Sequence, residues 1–101
     1  MKTVSIVPAI TLAEGAKPFT MVDFLKTAVE GCPMFGKGVA NIRKADRILT
    51  VIEGVKADTE TISFETDDFL ALQDAVAGTE WNPRFARKYL PFFDAMAAAK
   101  E

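Results

Sequence analysis

Apolar residues recur at every second position near the start of the chain: Val4, Ile6, Pro8, Ile10 and Leu12, with Thr3, Ser5 and Thr11 among the alternates. Period two belongs to a strand with one buried face, blurred here by Val7 and Ala9. Pro8 has no amide to give to a ladder, so the spacing predicts an edge strand, or two short strands meeting at the proline. Residues 14–18, Glu-Gly-Ala-Lys-Pro, then read as a turn able to return the chain as a short hairpin.

The period next changes to that of a helix. Thr20 followed by Asp23 forms a capping-box variant in which Asp stands in for the usual Glu or Gln. Phe19 before the cap and Phe24 at the fourth helical position can close a hydrophobic staple over it. The helix continues through Leu25, Ala28 and Val29 and should stop at Gly31, with Pro33 beyond. Residues 32–38 form a loop whose apolar members plug the core. From Val39 to Glu53, Ile42, Ala45, Leu49 and Ile52 recur at steps of three and four while Arg43, Lys44, Asp46, Arg47 and Glu53 fall elsewhere. An amphipathic helix ended by Gly54 is expected.

Residues 61–65, Thr-Ile-Ser-Phe-Glu, alternate again as a short strand. Thr66 is expected to cap a third helix with Asp67 and Asp68 in its first turn, where negative charge suits the positive helix end. Phe69, Leu72 and Val76 supply its buried stripe and Gly78 its end. Asn82 and Pro83 open the last element as cap and first helical residue. Pro91 lacks an amide and pushes Leu90 off helical angles, so a kink or a break into two short helices is expected. The order of elements predicts one helix-dominated α+β domain, residues 1–101, with two or three short strands and four or five helices.

That final stretch carries more apolar surface than one helix needs. Phe85, Tyr89, Leu90, Phe92, Phe93 and Met96 crowd into about three turns, with Trp81 just before them. Surplus apolar surface on a small domain usually marks contact with another chain. Trp81, Arg84, Phe85, Arg87, Tyr89, Phe92 and Phe93 are therefore the candidate interaction residues, since aromatics and Arg are over-represented at binding hot spots.

With 101 residues, half of them apolar and 26% charged, the chain has the make-up of a single globular domain. One cysteine, Cys32, allows no internal disulfide. No run approaches the roughly 18 apolar residues of a membrane span, and the first residues carry no secretory pattern, so a cytosolic location is expected. The net charge is −2, which gives no bulk attraction to nucleic acid. Its distribution is uneven: residues 58–80 hold seven acids and no base, flanked by basic residues on either side.

Histidine is absent. The commonest general base, the Ser–His and Cys–His arrangements and the commonest transition-metal ligand go with it. Zinc would need a Cys or His cluster. Cys32 follows a helix C-terminus, the end that does not activate a nucleophile. Asp67 and Asp68 form a carboxylate pair of the kind a glycosidase uses, yet helix-end electrostatics is reason enough for both. The spacing of an EF-hand is missing, and Gly31, Gly36 and Gly38 precede no Gly-Lys-Ser/Thr ending. We expect no enzyme, no cofactor, no metal and no small-molecule substrate.

Three segments together resemble the small proteins encoded by tailed bacteriophages. These are residues 14–20 leading into a helix, the basic helix around residues 42–48, and residues 61–64 running into Thr66-Asp67-Asp68-Phe69. The resemblance covers most of the chain and rests on structural motifs. It implies a compact α+β unit, often a virion component, an assembly factor or a modifier of host machinery, and it carries no catalytic or binding residue over. The expectation is a non-enzymatic phage-type protein acting by contact with a protein partner or by self-association. It would sit in the cytoplasm of a bacterial host or in the virion. One alternative is a regulator that inhibits a host protein through the acidic segment 58–80. The other is a small nucleic-acid binder, if Arg43, Lys44 and Arg47 join Arg84, Arg87 and Lys88 in one phosphate-binding stripe.

Overall fold

The Thr20 cap forms as its sequence requires. In the computed structural model, which describes residues 1–12 and 14–101, the Asp23 amide donates to Thr20 Oγ1 at 3.1 Å and the Thr20 amide to Asp23 Oδ2 at 3.1 Å. Two of the free donors of a helix start are thus satisfied reciprocally. Helix α1 runs Met21–Glu30 and ends at Gly31. Replacing Thr20 by alanine removes this box and is expected to cost about 1 kcal/mol, read from the urea midpoint. A double-mutant cycle with Asp23→Ala should show the two losses to be coupled rather than additive.

A 3-10 turn, Pro33–Gly36, buries Phe35. Helix α2 then runs Val39–Glu53, opened by Gly38 and closed by Gly54. Gly38 stands at φ +83°, in the left-handed region where a side chain is strained. The buried stripe of α2 is rotated from the expected one: Ala45, Ile48 and Ile52 are inside, Leu49 is half-buried and Ile42 is 51% exposed. The phase is set by the neighbours of α2, which are α1, the 3-10 turn, β2 (Thr61–Phe64) and α3 (Thr66–Gly78). They meet the side of the helix that carries Ile48.

Strand β1, Lys2–Ser5, pairs antiparallel with β2, Val4 opposite Ile62 and Thr3 opposite Ser63. Alternation puts Val4, Ile62 and Phe64 into the core, while the Thr3 and Ser63 hydroxyls share a hydrogen bond at 2.9 Å. The other edge of β1 is also used. Thr3 and Lys100 exchange both backbone hydrogen bonds, at 2.6 and 3.0 Å, which seats the C-terminal residues beside the first strand. After Pro8 the chain turns back, and Ile10 and Phe19 form an antiparallel bridge. The period-two run at the N-terminus is therefore one strand that ends at Ser5, followed beyond Pro8 by the isolated Ile10–Phe19 bridge.

Helix α3 differs from expectation at its start. Glu65 occupies the capping position, Thr66 is the first helical residue, and no side chain caps it. The last segment divides in two as expected, a 3-10 turn Ala86–Tyr89 and α4, Leu90–Ala97, but not for the expected reasons. Asn82 and Pro83 belong to a turn rather than to a helix start, Leu90 keeps helical angles at φ −51° and ψ −40°, and Pro91 lies in the first turn of α4. Proline is tolerated there because the first amides have no partner within the helix. Helices α1, α2 and α3 pack together, with the sheet joined to them through β2 and to α4 through β1. The described residues form a helix-dominated α+β fold of four α-helices and a two-stranded antiparallel sheet.

Candidate functional site

The seven candidate interaction residues divide into two groups. Tyr89 and Phe92 are buried and belong to the core, so these two candidates do not stand on an interaction surface. Both close on Phe24 of α1, itself fully buried: the Phe92 centroid lies 4.9 Å from that of Phe24 and Tyr89 6.3 Å. Trp81 stacks on Phe24 at 4.8 Å with the rings 11° from parallel, and Phe93 meets the same ring edge-on at 5.3 Å. The indole N–H of Trp81 donates to the Val76 carbonyl at 3.2 Å, which satisfies its polar atom at the end of α3. Phe19 packs on Tyr89 and Phe92, so the expected staple partners Phe19 and Phe24 share these two rings. The surplus aromatic surface is turned inward around one phenylalanine.

Arg84, Phe85 and Arg87 are held differently. They lie on the outward turn between Asn82 and Leu90, with Arg84 and Arg87 exposed and Phe85 half-buried. Asn82 begins the turn: its Oδ1 accepts from the Arg84 amide at 3.0 Å and its carbonyl from the Phe85 amide at 2.9 Å. The Arg84 guanidinium carbon lies 5.6 Å from the centroid of the Phe85 ring, and Lys88 Nζ lies 5.9 Å from the same centroid. Lys88 Nζ also donates to the carbonyls of Leu12 at 2.6 Å and Thr11 at 3.3 Å, tying the turn to the N-terminal loop. No sequence signal pointed to that tie. Among the described residues two ion pairs form, Lys2 with Glu101 and Arg47 with Asp68, and neither involves this turn. Arg84 and Lys88 thus stand at one aromatic ring, and among the described residues neither they nor Arg87 has an acid partner.

Arg47 and Asp68 make the one ion pair with a buried member. Arg47 Nη2 donates to Asp68 Oδ1 at 2.9 Å and Nε to Oδ2 at 3.2 Å, so the carboxylate is held by both prongs of the fork. The hydrogen bond to Asp68, and then the attraction of its charge, raise the Arg47 pKa above its ordinary value. Arg47 stays exposed while Asp68 is buried, so the pair fastens α2 to α3 at the edge of the core. Asp68 had been expected only to favour a helix end. Its place four residues before Leu72 and eight before Val76 put it on the buried stripe of α3, a signal present in the sequence. The pair also takes Arg47 out of any six-base stripe, and it removes Asp68 from the acidic surface. Asp58, Glu60, Glu65, Asp67, Asp74 and Glu80 remain exposed.

Other features offer less chemistry. A groove of about 550 Å³ lies between residues 6–9, the start of α1 and residues 55–59. Its walls are chiefly apolar, and the hydroxyls of Thr20 and Thr59 in it are engaged by the Asp23 and Lys56 amides. Cys32 is free and half-buried after α1. No group of three or more Cys, Asp or Glu suited to a metal ion occurs among the described residues. No helix among them is long and apolar enough to cross a membrane. Comparison with protein-family models, with curated proteins and with solved structures gives no match.

Proposed function

We propose that this protein works without catalysis, by docking another protein on the turn formed by residues 84–88. The observation that carries the proposal is the division of the terminal aromatics. Trp81, Tyr89, Phe92 and Phe93 clamp the segment onto Phe24, and the clamp holds Arg84 and Arg87 outward on a short, tied turn, with Phe85 half-buried between them. A binding constellation is most effective when a packed shell beneath it fixes its geometry. Arg and aromatic residues are also the types that dominate interface energetics. The lack of histidine supports a non-catalytic role. The resemblance to small tailed-phage proteins agrees with a place in virion structure or assembly, reached from the cytoplasm of a bacterial host.

Position-specific photocrosslinking tests the docking role. With a photoreactive residue in place of Arg87, irradiation of the expressing cell should give one discrete adduct; with the same residue in place of Gln73, exposed on α3, it should give none. Equal adducts at both positions, or none at either, would contradict the proposal.

A further inference from the structure

Resting on that docking role, we infer that the partner contributes an acidic peptide segment, whose carboxylates are taken by Arg84 and Arg87 while an adjacent apolar side chain rests on Phe85. Between Glu80 and Asp94 the chain carries three cations and no acid. Among the described residues none of the three is ion-paired, and Arg84 and Lys88 approach one ring. Like charges gathered in this way repel one another, and an anion laid across them relieves the repulsion. Lys88 is directed toward the Thr11 and Leu12 carbonyls, so the two arginines are the cations free to reach a ligand. A guanidinium matches a carboxylate two-pronged, as Arg47 already does with Asp68 inside this protein.

The ring defines the rest of the occupant. Phe85 is half-buried, packed against the core with Arg84 and Lys88 over its ring. That arrangement suits a segment in which acids alternate with apolar residues, an apolar centre with a charged rim. A long polyanion suits it poorly. Nucleic acid gains affinity from many phosphate contacts, whereas this basic surface is short and lies on a chain of net charge −2 with exposed acids elsewhere.

The test uses the full chain and labelled probes followed by fluorescence anisotropy. The probes are a short peptide alternating glutamate with leucine, its glutamine counterpart, and a single-stranded oligothymidine. The glutamate peptide should bind, the glutamine peptide should not, and affinity should fall as salt shortens the screening length from about 30 Å at 0.01 M to about 8 Å at 0.15 M. Arg84→Glu combined with Arg87→Glu should weaken binding at least about tenfold with the melting temperature nearly unchanged, because both side chains are exposed. The conservative pair Arg84→Lys and Arg87→Lys keeps the charge and loses the fork, so it should bind between the two. Tighter binding of oligothymidine, or equal binding of the two peptides, would overturn the acidic-segment assignment. If the glutamate peptide fails while crosslinking from position 87 persists, the partner's chemistry is wrong and the docking surface stands. If both fail, the docking role falls with it.

Discussion

Phe24→Ala is expected to lower the unfolding free energy by about 3–5 kcal/mol, a large share of the roughly 5–15 kcal/mol available to a domain of this kind. Phe24 is fully buried and lies against Trp81, Tyr89, Phe92 and Phe93. Removing its ring leaves a cavity that four partners from a different part of the chain cannot all fill, since Phe92 and Phe93 are fixed on α4 and Tyr89 on the 3-10 turn before it. The loss should exceed that of a typical aliphatic truncation because stacked and edge-on ring contacts add to area burial. Trp81 is the sole tryptophan and stacks on the deleted ring, so its emission should change in the native state as well as on unfolding. Urea titration followed at that emission measures both. A loss below about 1 kcal/mol would mean that the ring is not at the centre of the core.

Phe93→Asp should be nearly as damaging. Phe93 meets Phe24 at 5.3 Å and Trp81 at 5.9 Å, both edge-on. A carboxylate in its place loses those contacts and sets an unpaired charge beside two apolar rings. We expect a cost of about 3 kcal/mol, which for a domain of this size lowers the melting temperature by more than about 10 °C. If Phe93 instead belonged to a docking face, the variant would melt with the wild type and lose only its partner.

The sequence made some of this plain. Gly38 and Gly54 bracket an uninterrupted helical pattern, so the bounds of α2 were legible to the residue. Thr20 and Asp23 fixed the start of α1 by chemistry local to four residues. The face that α2 buries was not local. Ile42, Ala45, Leu49 and Ile52 make as regular a stripe as Ala45, Ile48 and Ile52, and only the placing of α1, α3 and β2 against the helix decides between them.

The candidate site was half legible for a related reason. Read as one helix, residues 82–101 have more aromatic surface than one face can bury. The chain breaks into an Asn82 turn, a 3-10 turn and helix α4, and Trp81 before the turn, Tyr89 of the 3-10 turn and Phe92 and Phe93 of α4 each reach Phe24. Once helical periodicity no longer applies, residues 81, 89, 92 and 93 can converge while 84 and 87 stay outside. The identity of the candidate residues came from composition, and their division into anchor and display came from the broken backbone.

An alanine scan of Trp81, Arg84, Phe85, Arg87, Tyr89, Phe92 and Phe93, read as melting temperature, tests that division most directly. The account predicts falls of many degrees at Trp81, Tyr89, Phe92 and Phe93, a small fall at half-buried Phe85, and melting within about 2–4 °C of wild type at Arg84 and Arg87, as about 0.5 kcal/mol or less for surface changes implies. Wild-type melting for Tyr89→Ala and Phe92→Ala, or a steep fall for Arg84→Ala and Arg87→Ala, would contradict it.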